Sequence, residues 1–252
     1  MKKIFILIIL FSFQTKGFIK NDKTEVKLWG YVLHSSKLSR RYIKVTIPKL
    51  HTVSITGYRI LGTTKIRSSK NRLINDIKSI SRSKNVELYP LITFHSIKTG
   101  RRILNSKKFR KKLILNIINL VNQNHFKGIH LDFEYLPPAY SKRLRFFLKE
   151  LKNRLPGKTV TMAVFPQVGF PKKWSDFHNL KNIHEFTDEI VLMCYDYHRP
   201  GTAPGPVTGY SWAEKNIIEI LKYFKSKNVW LGIPAYGYRW PSSGKASAIS
   251  AR

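Results

Sequence analysis

Asp132 and Glu134 stand two residues apart in the run Gly128-Ile129-His130-Leu131-Asp132-Phe133-Glu134-Tyr135, which is otherwise largely apolar or aromatic. Alternate side chains of an extended strand share a face, so His130, Asp132 and Glu134 would line one side. Ile129, Leu131 and Phe133 would then pack on the other. Neighbouring carboxylates on an apolar strand repel each other and lose hydration unless they are paired or put to use. Composition does not explain the placement, because the chain holds 14 Asp plus Glu against 46 Lys plus Arg. A carboxyl whose proton affinity is raised by burial and by a like-charged neighbour is suited to donating that proton near neutral pH. General acid catalysis is the chemistry such a pair can do.

Elements on either side must hold the pair in place. Short runs rich in β-branched and aromatic residues alternate with longer amphipathic ones. The strand candidates are Val26–His34, Thr52–Arg59, Val86–His95, Gly128–Tyr135, Thr159–Pro166, Glu189–Tyr197 and Val229–Tyr236. Helix candidates between them are Asn71–Lys84, Ser106–Asn124, Tyr140–Leu155, Trp174–Phe186 and Trp212–Ser226; Leu144, Phe147, Leu148 and Leu151 recur at helical spacing. Strands alternating with helices imply βαβ units and a parallel sheet. The 252 residues fit one α/β barrel of the TIM type, (β/α)8, which typically takes about 250 residues. Only seven strands are legible, and Gly237–Arg252 does not read as a strand. The expected architecture over residues 21–252 is therefore a barrel lacking its eighth strand and helix. In such barrels the active site lies where the strands end. Asp132 and Glu134 close the fourth strand, Met193-Cys194-Tyr195-Asp196 the sixth, and Gly232-Ile233-Pro234-Ala235-Tyr236-Gly237 the seventh.

These motifs resemble glycoside hydrolase family 18, the chitinase-like barrel enzymes. The family's fourth-strand signature, D-x-x-D-x-D-x-E, stands here as Lys127-Gly128-Ile129-His130-Leu131-Asp132-Phe133-Glu134. The M-x-Y-D pattern matches at Met193, Tyr195 and Asp196, GIPAYG matches from Gly232 to Gly237, and Gly30-Tyr31 fits the first strand. The resemblance implies that Glu134 is the general acid and that Asp132 orients the substrate's N-acetyl group. That acetamido oxygen would attack the anomeric carbon in place of a protein nucleophile. Tyr195 and Asp196 would hold the acetamido group, with Tyr31, Met193 and Tyr236 as further substrate-binding positions. Two positions depart from the pattern. Lys127 replaces the first Asp, and His130 replaces an inward Asp that the family couples to the position of Asp132. His130 is therefore expected to modulate the pair, as a neutral hydrogen-bond partner of Asp132 or as a cation that lowers Glu134's proton affinity. An Asp at 130 is expected to raise activity or broaden its pH range.

The resemblance implies a glycosidase acting on a β-linked polymer containing N-acetylglucosamine, such as chitin oligomers or peptidoglycan, with no cofactor and no metal. The alternative is a lectin-like barrel that binds such glycans without turning them over. His34, His95 and His198 fall near strand ends, but their spacing matches no zinc pattern. The formal net charge of +32 suits an anionic envelope surface. Its even spread over helix faces does not point to nucleic acid. Cys194 alone can form no internal disulfide and reads as a buried small apolar residue. Lys2 and Lys3 followed by the apolar run Ile4–Phe13 resemble an export signal or N-terminal anchor over residues 1–20, and hence a secreted or envelope protein.

Overall fold

The computed structural model describes residues 8–12, 26–32, 40–62, 64–67, 72–94, 96–242 and 246–250. In chain order, β1 is Ile8–Ser12, β2 Lys27–Val32, α1 Arg40–Thr46, β3 Thr52–Leu61, β4 Lys65–Arg67 and α2 Arg72–Ser83. Next come β5 Glu87–Phe94, α3 Ile97–Asn105, α4 Lys107–Gln123, β6 Gly128–Asp132, α5 Ser141–Asn153 and β7 Thr159–Val164. The chain continues through α6 Lys172–Ser175, α7 Leu180–Ile183, β8 Glu189–Leu192, α8 Tyr210–Leu221, β9 Val229–Pro234, β10 Tyr236–Arg239 and β11 Ser247–Ser250. Strands β2, β3, β5, β6, β7, β8 and β9 pair in parallel, each with the next. These are the seven strands expected from the sequence, in a mostly parallel sheet of barrel type.

The eighth position holds a different strand. β1 runs antiparallel between β9 and β2, with Leu10 opposite Gly232 on one side and Trp29 on the other. It lies inside the apolar run of the segment 1–20 read as an export signal or anchor; residues 1–7 and 13–20 of that segment are outside the described residues. Among the described residues, no helix is long and apolar enough to cross a membrane.

Two packed layers hold the barrel. Outside, α4 buries Leu113, Ile114, Ile117 and Val121, and α5 buries Leu144, Phe147, Leu148 and Leu151, the helical stripe read from the sequence. Inside, Trp29, Tyr89, Val191 and Trp230 form a separate cluster with Tyr31 against it. Their polar handles are satisfied: Trp29 Nε1 donates to Ser54 Oγ at 2.9 Å and Trp230 Nε1 to Glu189 Oε2 at 2.7 Å. Gly128 starts β6 at a close approach, since a Cβ there would lie 1.9 Å from the Thr159 carbonyl oxygen. Gly128→Ala must part β6 from β7, and is expected to cost about 3 kcal/mol, or roughly 6–12 °C in a thermal melt. A shift under about 2 °C would mean the two strands separate freely there.

Three readings change. Gly237–Arg252, read as not strand-like, contributes to the β10–β11 hairpin, with Gly237 opposite Ile249. Trp174–Phe186 is not one helix but short turns interrupted at Asn179, whose ψ of 114° leaves the helical region. α3 went unread because Gly100 weakens its helical signal. Gly100 is there for packing, as a Cβ would meet Phe94 at 2.8 Å and Leu136 at 3.0 Å.

Candidate active site

β6 ends at Asp132, and the chain carries on through buried Phe133 to Glu134 at the mouth of the sheet. Two devices fix that exit. Tyr135 adopts φ 60°, a left-handed conformation uncommon for a non-glycine residue. The other is His178, which is fully buried. Its Nδ1 accepts from the Phe165 backbone N–H at 3.0 Å, so its Nε2 carries the proton and donates to the Phe133 carbonyl at 2.7 Å. One imidazole thus joins the ends of β6 and β7 beside Glu134. Asp132, Glu134 and Tyr135 line a cavity of about 280 Å³, walled by Thr93, Phe94, Ser96 and Ile97 from the end of β5 and the start of α3. Ser96 caps that helix, accepting from the Thr99 N–H at 3.2 Å.

Burial raises the proton affinity of both carboxyls, and Glu134 is raised well above the usual range because burial is reinforced by the Asp132 charge and a hydrogen bond to Asp132. That hydrogen bond works the other way on Asp132, favouring its ionised form. Of the two, Glu134 is the one pushed further toward its protonated form. Asp132 Oδ1 is enclosed and has no hydrogen-bond partner among the described residues, which leaves an acceptor free inside the site.

The ends of β8 and β9 supply the facing groups. Asp196 stands at φ 61°, a second left-handed non-glycine residue at a strand exit. Its Oδ1 accepts from Tyr236 Oη at 2.5 Å and Tyr238 Oη at 2.8 Å. The Tyr195 and Tyr236 rings meet edge to face, with centroids 6.3 Å apart. Burial raises the Tyr195 phenol well above its usual value, and the charges of Glu134 and Asp132 add to this, so it stays a neutral donor. Met193 is buried in the core cluster, and its backbone N–H pairs with Val164 O at 2.9 Å. Cys194 is buried and its thiol is pushed up to about 11, mainly by burial. His198 turns its Nδ1 to the Ala203 carbonyl at 3.0 Å, while His34 and His95 lie outside the described residues. Among the described residues no cluster of three His, Cys, Asp or Glu is placed to hold a metal.

His130 departs from its expected contact. Its Nε2 meets Tyr31 Oη at 2.8 Å and its Nδ1 meets Thr161 Oγ1 at 2.7 Å, so neither nitrogen is left for Asp132. Thr161 donates its own proton to the Ile129 carbonyl at 3.1 Å. His130 therefore donates from Nδ1 to Thr161 and accepts at Nε2 from Tyr31. Burial lowers its pKa to about 3, so it is a neutral link and not a cation beside the pair. The expectation for an Asp at 130 loses its basis in a His130–Asp132 hydrogen bond.

His130 and His178 also predict acid lability. Above the ordinary histidine value of 6.5 both are neutral, folded or unfolded. Below it the unfolded chain takes up protons that the folded barrel refuses until about 4 at His178 and about 3 at His130. Stability is expected to fall as pH drops through that window and to level off beneath it. His130→Asn should flatten the slope of melting temperature against pH; an unchanged slope would show that His130 takes up its proton while folded.

Sequence reasoning missed Tyr238, Thr161, His178 and the wall of Thr93, Phe94, Ser96 and Ile97. Tyr238 was within reach, since it is two residues beyond Tyr236 and shares its face. Thr161 and His178 carry no local signal, because their partners are 31 and 45 residues away.

The barrel thus carries a buried carboxyl pair at its mouth, with tyrosines from the ends of β8 and β9 beside it. The model for glycosyl hydrolases family 18 matches residues 27–249, and the chain belongs to that family. The cortical fragment-lytic enzyme of Bacillus subtilis (strain 168) is 27% identical over 206 residues, covering 76% of this chain and 48% of that protein. The crystal structure of the spore cortex-lytic enzyme SleL of Bacillus megaterium QM B1551 superposes with a TM-score of 0.76 at 25% identity, covering 88% of this chain and 54% of that one. A chitinase from Chromobacterium violaceum shares the fold, with a TM-score of 0.77 at 19% identity over 87% of this chain and 72% of its own. The chain spans about half the length of its cortex-lytic relatives.

Proposed function

We propose that the protein hydrolyses a β-linked glycan containing N-acetylglucosamine, with Glu134 as general acid and the substrate's own acetamido group as nucleophile. The observation that carries this reading is that Asp132 and Glu134 line one cavity at the end of β6, where burial and the Asp132 charge push Glu134 toward its protonated form. Retaining glycosidases that use a protein nucleophile place two carboxyls ~5–5.5 Å apart across the scissile bond. Asp132 and Glu134 instead line one cavity from a single strand end, and Asp196 accepts from two phenols. The substrate's acetamido group takes the nucleophile's place, as the family resemblance implies.

In the first step the Glu134 proton passes to the glycosidic oxygen as the acetamido oxygen bonds to C1 and the C1–O bond breaks. Asp132, ionised throughout, accepts a hydrogen bond from the acetamido N–H and stabilises the oxazolinium ring. Tyr195, with Asp196 and Tyr236 behind it, donates to the same group. Water then adds to C1, gives its proton to the Glu134 carboxylate and reopens the ring with retained configuration.

The cortex-lytic relatives and the +32 charge favour peptidoglycan or a related anionic wall polymer over uncharged chitin. An export signal or anchor within residues 1–20 would deliver the barrel to that polymer. Proton NMR of chitooligosaccharide and peptidoglycan-fragment digests tests the mechanism. Initial release of the β-anomer supports it, the α-anomer sinks it, and tight binding without product would establish the lectin-like alternative.

A further inference from the structure

Arg199 lies in the loop after β8, at the rim of the candidate site, and the catalytic reading above gives it no role. Three contacts aim its side chain. Nη1 donates to the Asp196 backbone carbonyl at 2.9 Å, and the guanidinium lies over the rings of Phe170 and Trp174 at 5.2 and 5.0 Å. Trp174 in turn meets Tyr135 edge to face at 5.5 Å, and Tyr135 directly follows Glu134. Arg199 is thus one aromatic ring removed from the residue next to the proton donor. Its charge also reaches Tyr238, the second phenol on Asp196.

The guanidinium has five N–H donors, and only one of them makes a hydrogen bond within the described residues. No carboxylate among the described residues lies within ion-pair distance of it. Arg199 is only partly buried. Lys173 adds a second cation over Trp174 at 5.1 Å. Tyr135, 48% exposed beside this shelf, offers a face on which a sugar can stack. Two cations, an aromatic shelf and an unpaired fork form a site for a ring that carries a negative group. The fork matches a planar carboxylate, which it can grip through two parallel N–H···O bonds.

We infer that Arg199 reads a carboxylate on the sugar adjacent to the one being cleaved, so that the enzyme prefers a glycan in which N-acetylglucosamine alternates with a carboxylate-bearing N-acetylated sugar. This rests on the proposed glycosidase activity and narrows its substrate class. Arg199 is a specificity residue: it touches the neighbouring sugar and leaves the reacting atoms to Glu134 and Asp132.

The test pairs two ligands with three proteins. The ligands are an alternating oligosaccharide of N-acetylglucosamine and its 3-O-lactyl derivative, with free carboxylates or with the same carboxylates as methyl amides. The proteins are the full chain, Arg199→Gln and Arg199→Lys. The unaltered protein is expected to favour the free acid by about tenfold in kcat/KM. Arg199→Gln should cut that preference to about twofold or less, and Arg199→Lys should keep an intermediate preference through charge without the fork. Equal turnover of acid and amide by the unaltered protein overturns the inference and leaves the glycosidase reading standing. An equal loss on both ligands in Arg199→Gln, with the preference intact, also overturns it, because the side chain then only fastens the loop. If no glycan is turned over, the glycosidase reading fails, and calorimetric affinities for the two ligands still decide whether Arg199 reads the carboxylate.

Discussion

Glu134→Gln is expected to reduce hydrolysis of an N-acetylglucosamine oligomer by about a thousandfold while leaving affinity within a few-fold of the original. Glutamine keeps the shape of the side chain and can still donate to Asp132, but it has no proton acidic enough to pass to a departing oxygen. The loss should fall on kcat and not on KM, since only the transition state uses that proton. A pH profile sharpens the test. Burial and the Asp132 charge raise Glu134's proton affinity, so the active form exists below that raised value and disappears above it. Activity should therefore decline on the alkaline side. Asp132→Asn removes the neighbouring negative charge and should move that limb to lower pH, besides weakening hold on the acetamido group. A limb that stays in place would show that the titrating group is not Glu134. A Glu134→Gln protein that retains a tenth of its activity would show that another group donates the proton.

The placement of the carboxyl pair was more legible than its supports. Period-two alternation placed Asp132 and Glu134 at the end of the fourth barrel strand, and the strand-end motifs around Tyr195, Asp196 and Tyr236 brought the facing groups to the same mouth. Such features are local, and the pleat alone fixes which side they take. His130 was placed on the right face but given the wrong partner. Its true contacts come from register, which sets Thr161 directly opposite on β7, and from Tyr31 far back on β2. His178 was invisible for the same reason, because it acts on backbone groups of Phe133 and Phe165 that sequence spacing does not bring together. Arg199 carries no local signal of this kind, and only packing against Phe170 and Trp174 shows where it points. β1 was hidden differently. A basic start and an apolar run satisfy the requirements of an export signal and of a central strand alike.

Removing residues 1–12 is expected to open the barrel. β1 pairs with β9 from Ile8 opposite Pro234 to Ser12 opposite Trp230, and with β2 from Leu10 opposite Trp29 to Ser12 opposite Lys27. Without it both neighbours become edges with unpaired N–H and C=O groups. Behind them, Trp29 and Trp230 touch across the interior at 5.1 Å and are almost fully buried, so water admitted through the slot reaches them first. The shortened protein should lose several kcal/mol, a large share of the ~5–15 kcal/mol that holds a typical domain together. Its tryptophan emission should shift to the red, and hydrogen exchange should accelerate in β2 and β9 before β6 and β7. Leu10→Pro in the full chain removes one strand donor without shortening the chain, and should give a smaller change in the same direction. Service as a barrel strand and loss on export exclude each other for these residues. Mass determination of the exported protein therefore decides between them: a species still carrying residues 8–12 fits the strand role. A shortened protein as stable as the full chain, with its tryptophan emission unmoved, would show that the barrel does not depend on β1.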